Sequence, residues 1–359
     1  MSILWASLLA FIVSLVITKP TISLSKRIGL VDDPKKRSHP AHIHEGIIPR
    51  AGGIPLYLGL LIPSLLFITI SKIVIGILIV GALIIIVGIL DDFYDISPYI
   101  RFFLNIILVS IVIFFGLGIP YVSNPFFGGV VQLDSFTFTF DLFGTHTFLV
   151  WSNIVSIIWI VALMNFVNWS KGVDGQMPGF VLIAALFLGS LSFRIPAHHI
   201  TKESIILLSF ITAGSFGGFL VWNVYPQKIM PGYGGGSLAG FMLGVLSILS
   251  FGKIGIVILI LSIPLIDACY VIIRRLKNRT SPFRGDALHF HHRLLQMGWG
   301  KMRIALFYWI ITFLFGLSSF FLYGIQKVLA LIMVAGALAF FIIISERIKK
   351  EKNIKQTLL

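Results

Sequence analysis

Apolar runs recur along almost the whole chain, at 2–24, 51–70, 73–90, 101–118, 148–168, 179–194, 203–222, 236–251, 254–273, 304–324 and 328–344. A hydrocarbon core about 30 Å thick needs roughly 20 mostly apolar residues per helical crossing. Lipid offers no hydrogen bonds to an open backbone, so each run is predicted to be a helix. The expected fold is an all-α integral membrane protein of about 11 transmembrane helices, forming one polytopic domain over 1–359. The run at 236–251 is the weakest, because of its glycines. Short turns at 71–72, 251–253 and 324–325 separate neighbouring spans. Hydrophobic residues are 57% of the chain and charged residues 12%, against roughly 45–50% and about 25% in soluble domains, which excludes a soluble globule. The stretch 2–17 lacks a basic flank and a small-residue cleavage site, so it is predicted to stay as the first span. The single Cys269 excludes an internal disulfide and a Cys–His metal site.

An odd number of spans puts the termini on opposite faces. All of the 28 Lys and Arg residues except Lys72, Arg194, Lys202, Lys253 and Lys327 then collect on one side. The positive-inside rule makes that side cytoplasmic, with the N-terminus outside and the C-terminus inside. The net charge of +14 is thereby topological, facing anionic head groups, and a nucleic-acid partner is excluded. Outside lies one long loop, 119–147, in which 132–142 alternates Phe136, Phe138 and Phe140 with Thr137, Thr139 and Asp141, predicting a β-hairpin. His146, His198 and His199 also fall outside, without nearby acids.

The polar chemistry concentrates in the inner loops. Asp91-Asp92 closes a very apolar run, where adjacent carboxylates repel each other and meet the negative helix end. They suit a hard divalent cation or a general base. Asn165 and Asn168 are one turn apart, and Gly172 and Gly175 bracket Asp174. Residues 225–237 hold Lys228 and a glycine-rich turn that opens a span, a weak phosphate-binding signal by itself. The cytoplasmic, His- and Arg-rich loop 274–303 carries Asp286, His289, His291 and His292. Histidines at i, i+2 and i+3 do not share a helix face, so a loop or helix start is expected. The arginine-rich surroundings favour an anion over zinc. The basic loop from Lys35, Lys36, Arg37 and His39 to Arg50 suits an anionic head group. Within the spans, Asp267 lies two turns deeper than Arg274 on one face, and Arg101 and Asn105 are an i, i+4 polar pair. An intramembrane carboxylate is a functional-site candidate. A secondary transporter is disfavoured, because these residues crowd one face rather than the bilayer midplane.

In this order the motifs resemble the polyprenyl-phosphate N-acetylhexosamine-1-phosphate transferases. The resemblance runs over about residues 29–295 and is carried by 29–39, 49–53, Asp91-Asp92, Arg101 with Asn105, 165–175, 226–229, Asp267 and His289-x-His291-His292. The His-x-His-His pattern is closer to the N-acetylglucosamine-1-phosphate branch than to the lipid I-forming branch. The resemblance implies a bacterial inner-membrane enzyme that joins a UDP-N-acetylhexosamine to polyprenyl phosphate and releases UMP, initiating cell-envelope polysaccharide synthesis. It implies Mg²⁺, or Mn²⁺, held by Asp91, Asp92 and Asn168. In the same terms, Asp91 or Asp92 deprotonates or positions the lipid phosphate. Asn168 and Asp174 contact metal, nucleotide or diphosphate, and His289, His291 and His292 engage diphosphate or sugar. Arg50, Arg101, Asn105, Asn165, Lys171, Lys228 and Asp267 complete the binding set, and a homodimer is among the partnerships considered.

The chain departs from the family pattern at three places. Lys171 replaces the first acid of an Asp-Gly-x-Asp-Gly motif, the turn 230–237 lacks its usual acid, and Ala287 stands where an Arg usually follows the Asp. The first two changes weaken the attraction for a metal. Three readings stay open: an active transferase in which Lys171 takes over part of the metal's role, a transferase for a related phospho-sugar, and a non-catalytic binder of polyprenyl phosphate or nucleotide.

Overall fold

A computed structural model describes residues 1–35, 46–141, 145–194, 202–250, 254–282 and 288–357, with side chains described at all of these except 140, 141, 145, 146 and 344–357. The elements run α1 (Ser2–Arg27), β1 (Val31–Asp32), β2 (Ile48–Pro49), α2 (Gly53–Phe67), α3 (Lys72–Tyr94), α4 (Pro98–Phe114), β3 (Tyr121–Ser123), β4 (Val130–Gln132), β5 (Thr137–Asp141) and β6 (Thr145–Leu149). They continue with α5 (Val150–Trp169), α6 (Gln176–Ser192), α7 (Lys202–Asn223), α8 (Gly232–Leu249), α9 (Ile254–Ile260), α10 (Ser262–Lys277), α11 (Phe290–Gln296), α12 (Lys301–Ser318) and α13 (Ile325–Thr357). The chain is an all-α, multi-pass membrane protein, and each of the eleven apolar runs is helical. Among the described residues seven helices are long and apolar enough to cross a bilayer, or eight if the bent α9–α10 pair counts as one span. Helices α2, α4 and α6, of 15, 17 and 17 residues, fall short of about 20, so length alone does not establish eleven crossings.

Local chemistry sets several helix ends. Ser71 caps α3 by accepting from Val74 N at 3.4 Å. Pro98 opens α4, where its missing N–H costs nothing. Lys26 and Arg27 close α1, and Arg274, Arg275 and Lys277 close α10, complementing the negative helix ends.

Two helices differ from expectation. The glycine-weakened run is α8, and it is the centre of the bundle: every residue from Gly232 to Ile248 is buried. Its glycines dilute the apolar signal but let neighbouring backbones approach, as small residues do between membrane helices. A methyl on Gly88 of α3 would collide with Gly234, and one on Gly240 would collide with the Leu163 carbonyl of α5. Gly88→Ala is therefore expected to destabilise by about 1–3 kcal/mol, the usual cost of overpacking. Gly336→Ala, which lies inside α13 and meets nothing within 4 Å, should not lower the thermal unfolding temperature in detergent and should raise it slightly.

The run 254–273 is the second correction. It is broken at Leu261, and α9 and α10 diverge by 84°. Pro264 has no N–H for the Ile260 carbonyl, and its place in the first turn of α10 makes a fresh start there favourable. Asp267 therefore does not continue the α9 axis toward the membrane interior. The alternating segment 132–142 supplies one strand of a hairpin, β5, which pairs antiparallel with β6 beyond it from Thr137↔Leu149 to Asp141↔Thr145, while Gln132 belongs to β4. A second small hairpin, β3–β4, precedes it.

Candidate active site

The acid pair sits on the last turn of α3, and each carboxylate is met by a different arginine. The short connection after Tyr94 folds the first turn of α4 back over that end. Arg101 Nη1 donates to Asp91 Oδ1 and Oδ2 at 3.2 and 3.1 Å. Asp91 itself is 1% exposed. Asp92 points toward the loop side, where Arg50 Nη2 lies 2.7 Å from Oδ1 and Tyr233 N donates to Oδ2 at 3.2 Å. Tyr233 Oη donates to Asn105 Oδ1 at 3.2 Å, and Arg101 lies over its ring. The two guanidiniums offset the repulsion between adjacent carboxylates at a negative helix end.

Backbone pairing holds Arg50 there. Strands β1 and β2 pair antiparallel, with Asp32 opposite Ile48. Met230 N donates to Pro49 O at 2.8 Å, and Gly52 N returns a bond to Met230 O at 3.0 Å. Gly232 begins α8 at a φ of +69°, where a side chain would strike both the Arg50 carbonyl and Asp92.

Lys171 reaches this cluster from the turn after α5. Its Nζ donates to the Gly232 carbonyl at 2.6 Å. Burial pulls the ammonium down from the usual 10.5 to about 8, opposed by Asp92 and Asp91. Arg101 pushes the same way as burial, and Asp32 opposes it.

The rest of the 165–175 segment divides into separate roles. Asn165 Nδ2 donates one turn back to Val161 O at 2.8 Å, within its own helix. Asn168 is buried against Gly236, and its Oδ1 has no hydrogen-bond partner. Asp174 Oδ2 accepts from Gln227 N at 3.1 Å, and Lys301 Nζ lies 3.6 Å from Oδ1. Gly175, at a φ of +74°, donates to Asn223 Oδ1 at 3.0 Å. Asp174 thus ties this turn to the 223–229 turn.

The histidines form the adjoining wall. His289 caps α11, so the three imidazoles leave a helix start rather than one helix face. Its Nδ1 donates to Asp267 Oδ2 at 2.9 Å, and Phe290 N donates to Oδ1 at 2.8 Å. Asp267, on the same helix as Arg274 as expected, is engaged across space by the start of α11. His291 stacks on His289 at 5.7 Å and lies 4.2 Å from His292. Both His291 ring nitrogens are buried without a hydrogen-bond partner. Burial, with His292 and His289 beside it, holds its pKa well below the usual imidazole range. A side chain at Gly172 would collide with His291 Nε2, so this wall abuts the turn that carries Lys171. Arg275 covers Trp169, which faces His289.

Among the expected residues, Arg50, Asp91, Asp92, Arg101, Asn105 and Lys171 meet in one cluster, adjoined by Asp267, His289, His291 and His292. Asn165 does not join it. Lys228 lies over Trp222 and lines a separate basic cavity of about 310 Å³ with Lys19, Lys26 and Gln227. Lys36, Arg37, His39, Arg284, Asp286 and Ala287, with His198 and His199, lie outside the described residues. Sequence reasoning missed Tyr233 and Lys301. An aromatic residue in the midst of a glycine run was the available signal for Tyr233, whereas Lys301 carried none beyond its charge.

Mg²⁺ needs octahedral oxygen ligands, usually including carboxylates. Both Asp91 oxygens take Arg101, Asp92 takes Arg50 and a backbone N–H, and the partly buried Lys171 ammonium stands beside them. Among the described residues, no three His, Cys, Asp or Glu side chains group as a metal site would require. Asn168 Oδ1 is a spare oxygen, but one amide does not outweigh three cations. The residues present do not fit the ion.

A family model described as glycosyl transferase family 4 matches residues 74–251, which include the acid pair, Lys171 and Asp174. Over 348 residues the chain is 30% identical to the probable undecaprenyl-phosphate N-acetylglucosaminyl 1-phosphate transferase of Bacillus subtilis, covering 94% of this chain and 90% of that protein. It is 26% identical to the decaprenyl-phosphate N-acetylglucosaminephosphotransferase of Mycobacterium tuberculosis, covering 87% and 81%. It is 25% identical to the phospho-N-acetylmuramoyl-pentapeptide-transferase of Oceanobacillus iheyensis, covering 87% and 95%.

Proposed function

The chain belongs to glycosyl transferase family 4, and we propose that it transfers N-acetylglucosamine 1-phosphate from UDP-N-acetylglucosamine to polyprenyl phosphate. The observation that carries the reading is the cluster itself: two adjacent carboxylates, two arginines and a lysine, partly buried at one end of an apolar bundle. Such an arrangement serves a reaction whose reactants are all anionic and whose acceptor is a lipid.

An oxygen of the lipid phosphate attacks the β-phosphorus of the nucleotide sugar. The bond from that phosphorus to the bridging oxygen breaks, and UMP leaves with the electron pair. Phosphoryl transfer of this kind depends on positioning and charge stabilisation rather than covalent catalysis. Arg50, Arg101 and Lys171 supply positive charge, and Asp91 and Asp92 hold those cations in place and orient the attacking phosphate. His291, with two unpartnered nitrogens beside Gly172, has hydrogen-bonding capacity for the sugar or diphosphate. The concentration of Lys and Arg supports placing this end at the cytoplasmic face of a bacterial inner membrane.

The test is UMP release by the purified protein from UDP-N-acetylglucosamine and undecaprenyl phosphate. Release is expected. Tight nucleotide or lipid binding without turnover of any UDP-sugar would sink the reading and favour a non-catalytic binder, which the ammonium at position 171 also suits.

A further inference from the structure

The two largest departures from the family pattern face each other. Lys171 stands where an acid is usual, and the turn 230–237 holds none. The ammonium of the first donates to the backbone of the second, at Gly232 O. This bond lies among Asp32, Asp91 and Asp92, all of which act on the Lys171 ammonium. Asp91 and Asp92 are each met by an arginine, and the Lys171 ammonium adds a further positive charge beside them. A divalent ion placed there would meet the Lys171 ammonium, and its ligands would first have to give up two guanidiniums.

Resting on the transferase reading above, we propose that the Lys171 ammonium, fixed on the Gly232 carbonyl beside Asp91 and Asp92, occupies the place of a catalytic divalent cation and makes this transferase metal-independent. Lysine is a point-charge binder of phosphate oxygens. Here it neutralises the diphosphate as the bond to the β-phosphorus forms and the bond to UMP breaks. It keeps its proton throughout, and the electron pair leaves with UMP.

Two measurements test this independently. The first titrates Mn²⁺ alone into the purified, chelator-stripped protein and follows the free-ion electron paramagnetic resonance signal. Wild type is expected to show no saturable site, whereas Lys171→Asp gains one. The second compares UMP release in excess EDTA and in Mg²⁺. Wild type is expected to turn over equally in both. Lys171→Asp should lose about 10³-fold in EDTA, the order that a transition-state cation supplies in phosphoryl transfer, and recover with Mg²⁺. Saturable Mn²⁺ binding by wild type, or EDTA inhibition that Mg²⁺ reverses, overturns the proposal and leaves the transferase reading intact. If no condition gives turnover, the transferase reading fails, and with it metal-independent catalysis; the Mn²⁺ titration still decides whether the ammonium fills the cation position. The wild-type arms need no folded variant, and Lys171→Met, which removes the charge at similar length, should lose turnover in EDTA without gaining a Mn²⁺ site.

Discussion

Asp92→Asn is expected to lower UMP release by about 10²–10⁴-fold, the range associated with a positioned proton-transfer or charge-orienting group. The substitution preserves shape, and the amide oxygen can still accept from Tyr233 N. What it removes is the charge that Arg50 meets at 2.7 Å and the largest attraction acting on the Lys171 ammonium. Both cations then lose the orientation that directs them at the diphosphate. Asp91→Asn should lower turnover as well, with a larger loss of stability. Asp91 is more deeply enclosed, and Arg101, whose side chain is 26% exposed, would lose its carboxylate partner, a loss smaller than the about 3–5 kcal/mol of fully buried pairs. Turnover and thermal unfolding, measured on both variants in the same detergent, separate these effects. Asp92→Asn with near wild-type turnover would remove this carboxylate from the mechanism.

The sequence reveals this site more fully than it reveals the path of the chain. A membrane span must be apolar along its length, so the helical segments and the isolated polar residues were both visible in the order of residues. Asp91, Asp92, Lys171 and the histidines stood out because charged groups beside lipid are costly. Apolar content records that a segment is shielded from water, but not the direction of its axis. The 84° break at Leu261 therefore left no mark except Pro264. Nor does apolar content show which helix is central: α8 looked weak because glycine contributes little hydropathy, although that smallness brings α3 and α5 against it. Partner choice was equally hidden. Nothing local assigns Arg101 to Asp91 and Arg50 to Asp92, because Arg50 reaches the site through the β1–β2 pairing and the Met230 bonds.

Gly232→Ala should be the most damaging small substitution in the chain, because this residue joins all three sides of the cluster. Its φ of +69° lies in the left-handed region, which costs an L-residue about 1–2 kcal/mol. The added methyl would also collide with the Arg50 carbonyl and an Asp92 oxygen. Relief requires the β2 loop or the end of α3 to move, and the Gly232 carbonyl that holds Lys171 at 2.6 Å must move with them. A displacement near 1 Å at a reacting centre costs about 10²-fold in rate, so turnover should fall by at least that order, with a lowered melting temperature. Gly298→Ala is the control, since Gly298 has a φ of +87° but meets nothing within 4 Å. It carries the same backbone penalty without the collision, and should lose stability while keeping its rate. If both variants lose stability alike and neither loses rate, then the loops around Gly232 yield without disturbing the cations. In that case the Lys171–Gly232 bond would not be what positions the ammonium.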